Sequence, residues 1–292
     1  MRRSQSGKFA LLVLSPAMAY LVFASLTLTL AALNLAFQNR SLQLHKYHYV
    51  GLDNFVRLFS DQRFLNALRV SAYWELLTLG GTFLIAIPVA VFLCERVPRR
   101  YQNPICLALM FPILLPRVSV GLIWRFFYAP TIGLVNFPLT LLGQRPVDLL
   151  GSIYSALAAV AVADVWQWGL FFAVIILKLL GTLPAAQIEA ALIDGARLWQ
   201  KHLLITLPML RGALLTMAFV KAIESLRSFD LIYTMTNGGP GIVTETIDLY
   251  AYQVGINLSG RISYATSMSL LLLILTIVVF TVLWRTTRRL AK

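Results

Sequence analysis

Pro184 to Pro208 reads PAAQIEAALIDGARLWQKHLLITLP, a polar and interrupted stretch between two long apolar runs. Pro184 suits a first helical turn, where its missing N–H leaves no bond unmade, and Ile188, Ala191 and Leu192 share one face at helical spacing. Gly195 supplies a C-terminal stop, because glycine enters the left-handed conformation at little steric cost. A second amphipathic piece carries Arg197, Lys201 and His202 against Leu198, Trp199 and Leu203, then runs into the apolar segment that contains Pro208. Two short helices bent at a glycine beside a membrane make a compact knob, a shape suited to a groove on a soluble partner.

The membrane is required by composition. With 59% hydrophobic and 13% charged residues, and a mean hydropathy of +0.76, the chain is far from the half-apolar, quarter-charged mix of soluble domains. The net charge of +13 does not point to nucleic acid, because the basic residues cluster beside apolar runs, where they set topology and meet anionic membrane lipid. Cys94 and Cys106 flank one short basic loop without metal-site or disulfide-framework spacing, and His45, His48 and His202 form no ligand cluster. No metal site is expected.

Apolar runs at 9–34, 68–94, 104–128, 153–180, 203–225 and 264–284 are each long enough to span, since about 20 residues cross the hydrocarbon core. The first follows Arg2, Arg3 and Lys8 like a secretory signal, but it is longer than the ~7–15 apolar residues of such a signal and reads as a retained helix. With the N-terminus inside, the inner segments hold twelve basic residues: Arg2, Arg3, Lys8, Arg96, Arg99, Arg100, Arg197, Lys201, Arg285, Arg288, Arg289 and Lys292. The longer outer segments hold seven, Arg40, Lys46, Arg57, Arg63, Arg145, Arg227 and Arg261. This asymmetry predicts an all-α membrane protein with six transmembrane helices and cytoplasmic N- and C-termini, with a short cytoplasmic helix between the fourth and fifth. The expected organisation is residues 1–67 as tail, first helix and external loop, 68–284 as a five-helix core including the loop 182–208, and 285–292 as a basic tail.

Glu189-Ala190-Ala191, Gly195 after three residues, and Ile205, Leu207 and Pro208 after nine more resemble the EAA loop of permease subunits of bacterial carbohydrate-type ABC importers. The run Gly51-Leu52-Asp53-Asn54-Phe55, with Asp61, Phe64 and Asn66-Ala67-Leu68, is similar to the lead-in to their second helix. Phe229-Asp230-Leu231-Ile232-Tyr233, Thr236 to Gly241 and Thr244-Glu245-Thr246 resemble the loop before their last helix. The resemblance implies a coupling helix that fits a cleft of a cytoplasmic ATPase, with Glu189 as its main charged contact and Ala190, Ala191, Asp194, Gly195 and Arg197 around it. It further implies a second permease subunit, an ATPase dimer that holds ATP and Mg²⁺, and a periplasmic or lipid-anchored solute-binding protein that meets Asn237, Gly238, Gly239 and Pro240. The location implied is the inner membrane.

The chain carries no G-x-x-x-x-G-K-[ST] phosphate loop, no H-E-x-x-H and no G-x-S-x-G, so it is expected to bind no cofactor and catalyse no covalent step. Ionisable groups within spans cost roughly 2.5–3.5 kcal/mol each at mid-depth and mark cavities or partners. Here they are Glu75, Arg117, Arg125, Asp164, Lys178, Arg211, Lys221 and Glu224; Arg117, Lys178 and Arg211 are set aside as able to snorkel or pair. Asp164, Trp168 and Phe171 share a face of the fourth span that suits a sugar, with rings for its CH face and a carboxylate for its hydroxyls. Lys221, Ser225 and Ser228 repeat that spacing in the fifth and are expected on the transport path. Two alternatives stay open: Lys221 and Glu224 satisfy each other, or Asp164, Lys221 and Glu224 bind the coupling ion of a self-sufficient carrier or channel.

Overall fold

A computed structural model of the chain describes residues 2–43 and 47–290; Lys46 and Lys292, counted above for topology, lie outside the described residues. All regular structure among those residues is helical, apart from isolated bridge positions such as the pair Gln38 and Tyr49. The chain divides into two compact units, Met1–Asp61 with Tyr250–Ile274 and Gln62–Leu249 with Leu275–Lys292.

The first unit contains α1 (Arg2–Ala36) and α2 (Asp53–Ser60). Buried Asn54 donates its amide to the carbonyls of Ala36 and Gln38, both at 2.8 Å, so the end of α1 is capped by a side chain from α2. Asp61 accepts the hydroxyls of Tyr250 and Tyr264, each at 2.7 Å. Ser263 donates its N–H to the Arg40 carbonyl and accepts the Arg40 N–H on its hydroxyl, which holds the segment after α1 in place.

The second unit is built on α3 (Gln62–Arg96) and runs through α4 (Arg99–Met110), α5 (Arg117–Phe127), α6 (Phe137–Leu141) and α7 (Ala156–Leu180). Helices α3 and α7 form its most extensive pair. Lipid offers no hydrophobic incentive for helices to associate, so close packing through small residues must supply it. Ala86, Ala90 and Ala173 are fully buried at this seam, and a Cβ on Gly81 would stand 2.8 Å from Val165. Larger Phe172, Ile176 and Leu177 fill the remainder of the core.

Beyond α7 come α8 (Ala185–Ile193), α9 (Leu198–Gln200), a π-helical stretch Lys201–Thr206, α10 (Leu207–Met209) and α11 (Arg211–Ser225). Then follow α12 (Phe229–Met235), α13 (Ile247–Tyr252) and α14 (Ile262–Leu290), the last beginning in the first unit and ending in the second.

Val13–Ala36, Gln62–Arg96 and Ala156–Leu180 are long and apolar enough to cross a membrane, and Ile262–Val278 is a shorter apolar helix. The runs read as third and fifth spans are each bent at a break. Arg99–Leu114 meets Arg117–Phe127 at 97°, and Leu198–Met209 meets Arg211–Ser225 at 74°. Pro116 forces Leu115 into extended geometry at the first break, while Pro208 withholds a donor just before the second at Leu210. With each bent pair counted as one span, the described residues hold five.

Candidate functional site

The stretch after α7 folds into the expected knob. Helix α8 begins behind extended Pro184 and ends where Gly195 adopts φ +78, with the Gly195 and Ala196 N–H groups returning to the carbonyls of Leu192 and Ala191. Ala191 is the residue α8 buries, whereas Glu189, Ala190, Asp194, Gly195 and Arg197 are all exposed. Leu192 and Ile193, one turn on from Glu189 in α8, are exposed, Ile193 at 86%, and Leu198 and Trp199 of α9 are exposed as well. Exposed apolar side chains grouped on one short segment are a feature that marks interaction sites.

The second half of the knob departs from its amphipathic reading. Lys201 and His202 are buried, and Leu198, Trp199 and Leu203 are exposed. The reason is Glu95, near the end of α3, whose Oε1 accepts Lys201 Nζ at 2.6 Å and lies 3.0 Å from His202 Nε2. The π-helical stretch changes the residue count per turn, so a strict 3.6-residue count assigns the faces wrongly from Lys201 onward.

At the centre of the second unit the intramembrane charges meet. Lys221 and Asp164 are both 0% exposed and paired at 2.5 Å, and the other Asp164 oxygen accepts Arg117 at 2.6 Å. Arg117 also reaches Glu224 at 3.3 Å. Lys221 is therefore paired with Asp164 rather than Glu224, and Arg117 belongs to the cluster. Arg117 opens α5, where the helix dipole disfavours a cation, and the two carboxylates offset this. One turn along α7, buried Gln167 donates to the carbonyls of Pro112 at 3.2 Å and Leu115 at 2.9 Å, bracing the α4–α5 break. Ser225 donates its hydroxyl to Glu75 at 2.5 Å, while the Trp74 indole donates to the Ser225 carbonyl at 2.9 Å.

Trp168 and Phe171 are half-buried beside this cluster, with the Lys221 ammonium 5.3 Å from the Trp168 ring centre. Ser228 lies beyond the end of α11, as the N-cap position of α12, so it does not continue the helical face of Lys221 and Ser225. Arg117 could have been found by its place behind Pro116. Glu95 carried only a faint signal, a lone carboxylate ahead of Arg96, Arg99 and Arg100.

The loop after α12 is held mainly by α3. Arg63 grips Glu245 through two bonds, at 2.8 and 2.7 Å, Asn66 donates to the Ile242 carbonyl at 3.0 Å, and Ser71 accepts the Ile247 N–H at 3.0 Å. Thr244 donates to the Gly239 carbonyl at 2.9 Å. Asn237 is exposed, Gly239 and Pro240 are half-buried, and Gly238 is buried with φ +90, where an added Cβ would approach Leu249 at 3.2 Å.

Several long apolar helices, joined by small-residue packing around a buried ion cluster, give the architecture of a multi-pass membrane protein. The chain belongs to the family described as "Binding-protein-dependent transport system inner membrane component", which it matches over residues 62–292. It is 33% identical over 204 residues to the trehalose/maltose transport system permease protein MalF of Thermococcus litoralis, covering 70% of this chain and 68% of that protein. It is 30% identical over 240 residues to the sulfoquinovosyl glycerol transport system permease protein SmoG of Agrobacterium fabrum, covering 82% and 77%. Its fold matches, with a TM-score of 0.83 and 21% identity over 100% of both chains, a crystal structure of a bacterial ABC transporter involved in the import of the acidic polysaccharide alginate.

Proposed function

We propose that this chain is the permease subunit of an ATP-driven importer for a sugar or sugar derivative, with six transmembrane helices and both termini in the cytoplasm. It forms half of a translocation path with a second permease. Its knob fits a cleft of an ATPase dimer that holds ATP and Mg²⁺, and its 236–249 loop faces a solute-binding protein outside. The chain itself performs no covalent chemistry. The observation that carries this reading is the knob: an exposed carboxylate, Glu189, on α8 with exposed Leu192 and Ile193, and exposed Leu198 and Trp199 on α9 after the turn at Gly195. The sugar class is supported by the substrates named for the permeases it is similar to. Asp164 already gives both oxygens to Arg117 and Lys221, which weighs against its serving as the ion site of a self-sufficient carrier.

In vesicles containing this chain, its partner permease, the ATPase and the binding protein, sugar uptake is expected to require ATP. Uptake driven by an ion gradient without ATP would overturn the proposal. Topology is tested separately in a background with Cys94 and Cys106 replaced by Ser. A cysteine at Asn237 is expected to react with an impermeant thiol reagent added outside, and one at Gln200 only after the membrane is opened. Reverse labelling would refute the orientation and the docking of the knob together.

A further inference from the structure

Glu95 stands next to the last residue of α3 and is bound by Lys201 and His202 in the second half of the knob. Its Oε1 meets Lys201 and His202, and the other ring nitrogen of His202 lies 3.0 Å from the Thr206 hydroxyl. The side chains of Lys201 and His202 are almost wholly buried and that of Glu95 largely so, which shields this contact from the screening that weakens surface pairs. Both residues belong to the π-helical stretch, a geometry that costs hydrogen-bond quality and recurs where a side chain must be re-aimed.

We propose that Glu95 is the positioning residue through which the knob moves α3, and that α3 carries this displacement to the 236–249 loop. The proposal rests on the reading of the knob as the ATPase-docking element. Helix α3 runs unbroken from Gln62 to Arg96 and bonds to other elements along its length. Glu95 holds the second half of the knob, Trp74 and Glu75 hold Ser225 at the end of α11, and Arg63, Asn66 and Ser71 hold the loop. From Arg63 to Glu95 the helix spans roughly 50 Å at 1.5 Å per residue. A closely packed helix shifts between discrete positions rather than deforming continuously, so a push at one end arrives at the other. Glu95 touches neither nucleotide nor solute in this scheme.

The test uses the full reconstituted complex and reads ATP hydrolysed per solute imported, alongside co-purification of the ATPase. A merely structural defect lowers hydrolysis and uptake together and leaves this ratio unchanged. Glu95→Gln is expected to raise the ratio about tenfold, an ordinary size for a coupling free energy, with the ATPase still bound. The exchange Glu95→Lys with Lys201→Glu restores the ion pair in reverse and is expected to bring the ratio back to within about twofold of wild type. An unchanged ratio in Glu95→Gln overturns the proposal, as does an exchange that recovers nothing. Should Glu95→Gln fail to accumulate, the exchange is compared with Lys201→Glu alone, and equal ratios in the two overturn it. The wild-type complex run in parallel separates this outcome from failure of the underlying reading: wild-type uptake without ATP would refute the importer itself.

Discussion

Lys221→Met is expected to destabilise the assembled subunit by about 3 kcal/mol, the lower end of what breaking a buried ion pair costs. Lys221 and Asp164 are both fully buried, so the mutant leaves an Asp164 oxygen charged and without its ammonium, while Arg117 keeps the other oxygen. Adding Asp164→Asn should recover more than half of the loss, because the amide carbonyl still accepts from Arg117 and no unpaired charge remains. Adding Glu224→Gln should recover nothing, because Glu224 is bound to Arg117 and its side chain is 32% exposed. Thermal unfolding of the detergent-solubilised complex reads both pairs of variants. Rescue by Glu224→Gln rather than Asp164→Asn would contradict the pairing seen here, and a single mutant as stable as wild type would remove Lys221 from the cluster.

Glu189→Lys is expected to abolish solute-stimulated ATP hydrolysis and uptake. The substitution puts an ammonium on an exposed segment with exposed apolar neighbours, whose resemblance-implied partner is a cation of the ATPase, so docking would bring like charges together in a site that excludes water. Glu189→Gln, which keeps shape and acceptor while losing charge, should give an intermediate loss. Because Glu189 is exposed, the isolated subunit should unfold at the same temperature in all three forms. Wild-type stimulation in the lysine variant would refute the docking role of the knob.

Much of this was legible before folding, for identifiable reasons. The apolar runs are longer than any soluble core helix requires, and the bent knob follows from Pro184, Gly195 and the helical spacing between them. These are local effects, settled by backbone sterics and by the solvent preference of consecutive residues, and neither depends on a distant contact. The EAA spacing is likewise local, which is why the family could be read from the same twenty-five residues.

What needed the tertiary structure was every choice of partner. Lys221 has Glu224 as a sequence neighbour at helical distance, yet it pairs with Asp164 on another helix, and Glu224 turns to Arg117. Buried charges take whichever counter-charge the packing brings near, and that is set by the α4–α5 break, which Gln167 stabilises from α7. The inward turn of Lys201 and His202 had the same kind of cause. Their periodicity placed them on the polar face of an amphipathic helix, and a carboxylate more than a hundred residues earlier reversed that assignment. Composition and periodicity thus determined that the chain is a bundle of membrane helices with a short bent knob between two of them. The pairing of its charges was decided by packing, because Coulomb attraction depends on distance in space and a helical chain brings together residues that its sequence keeps far apart.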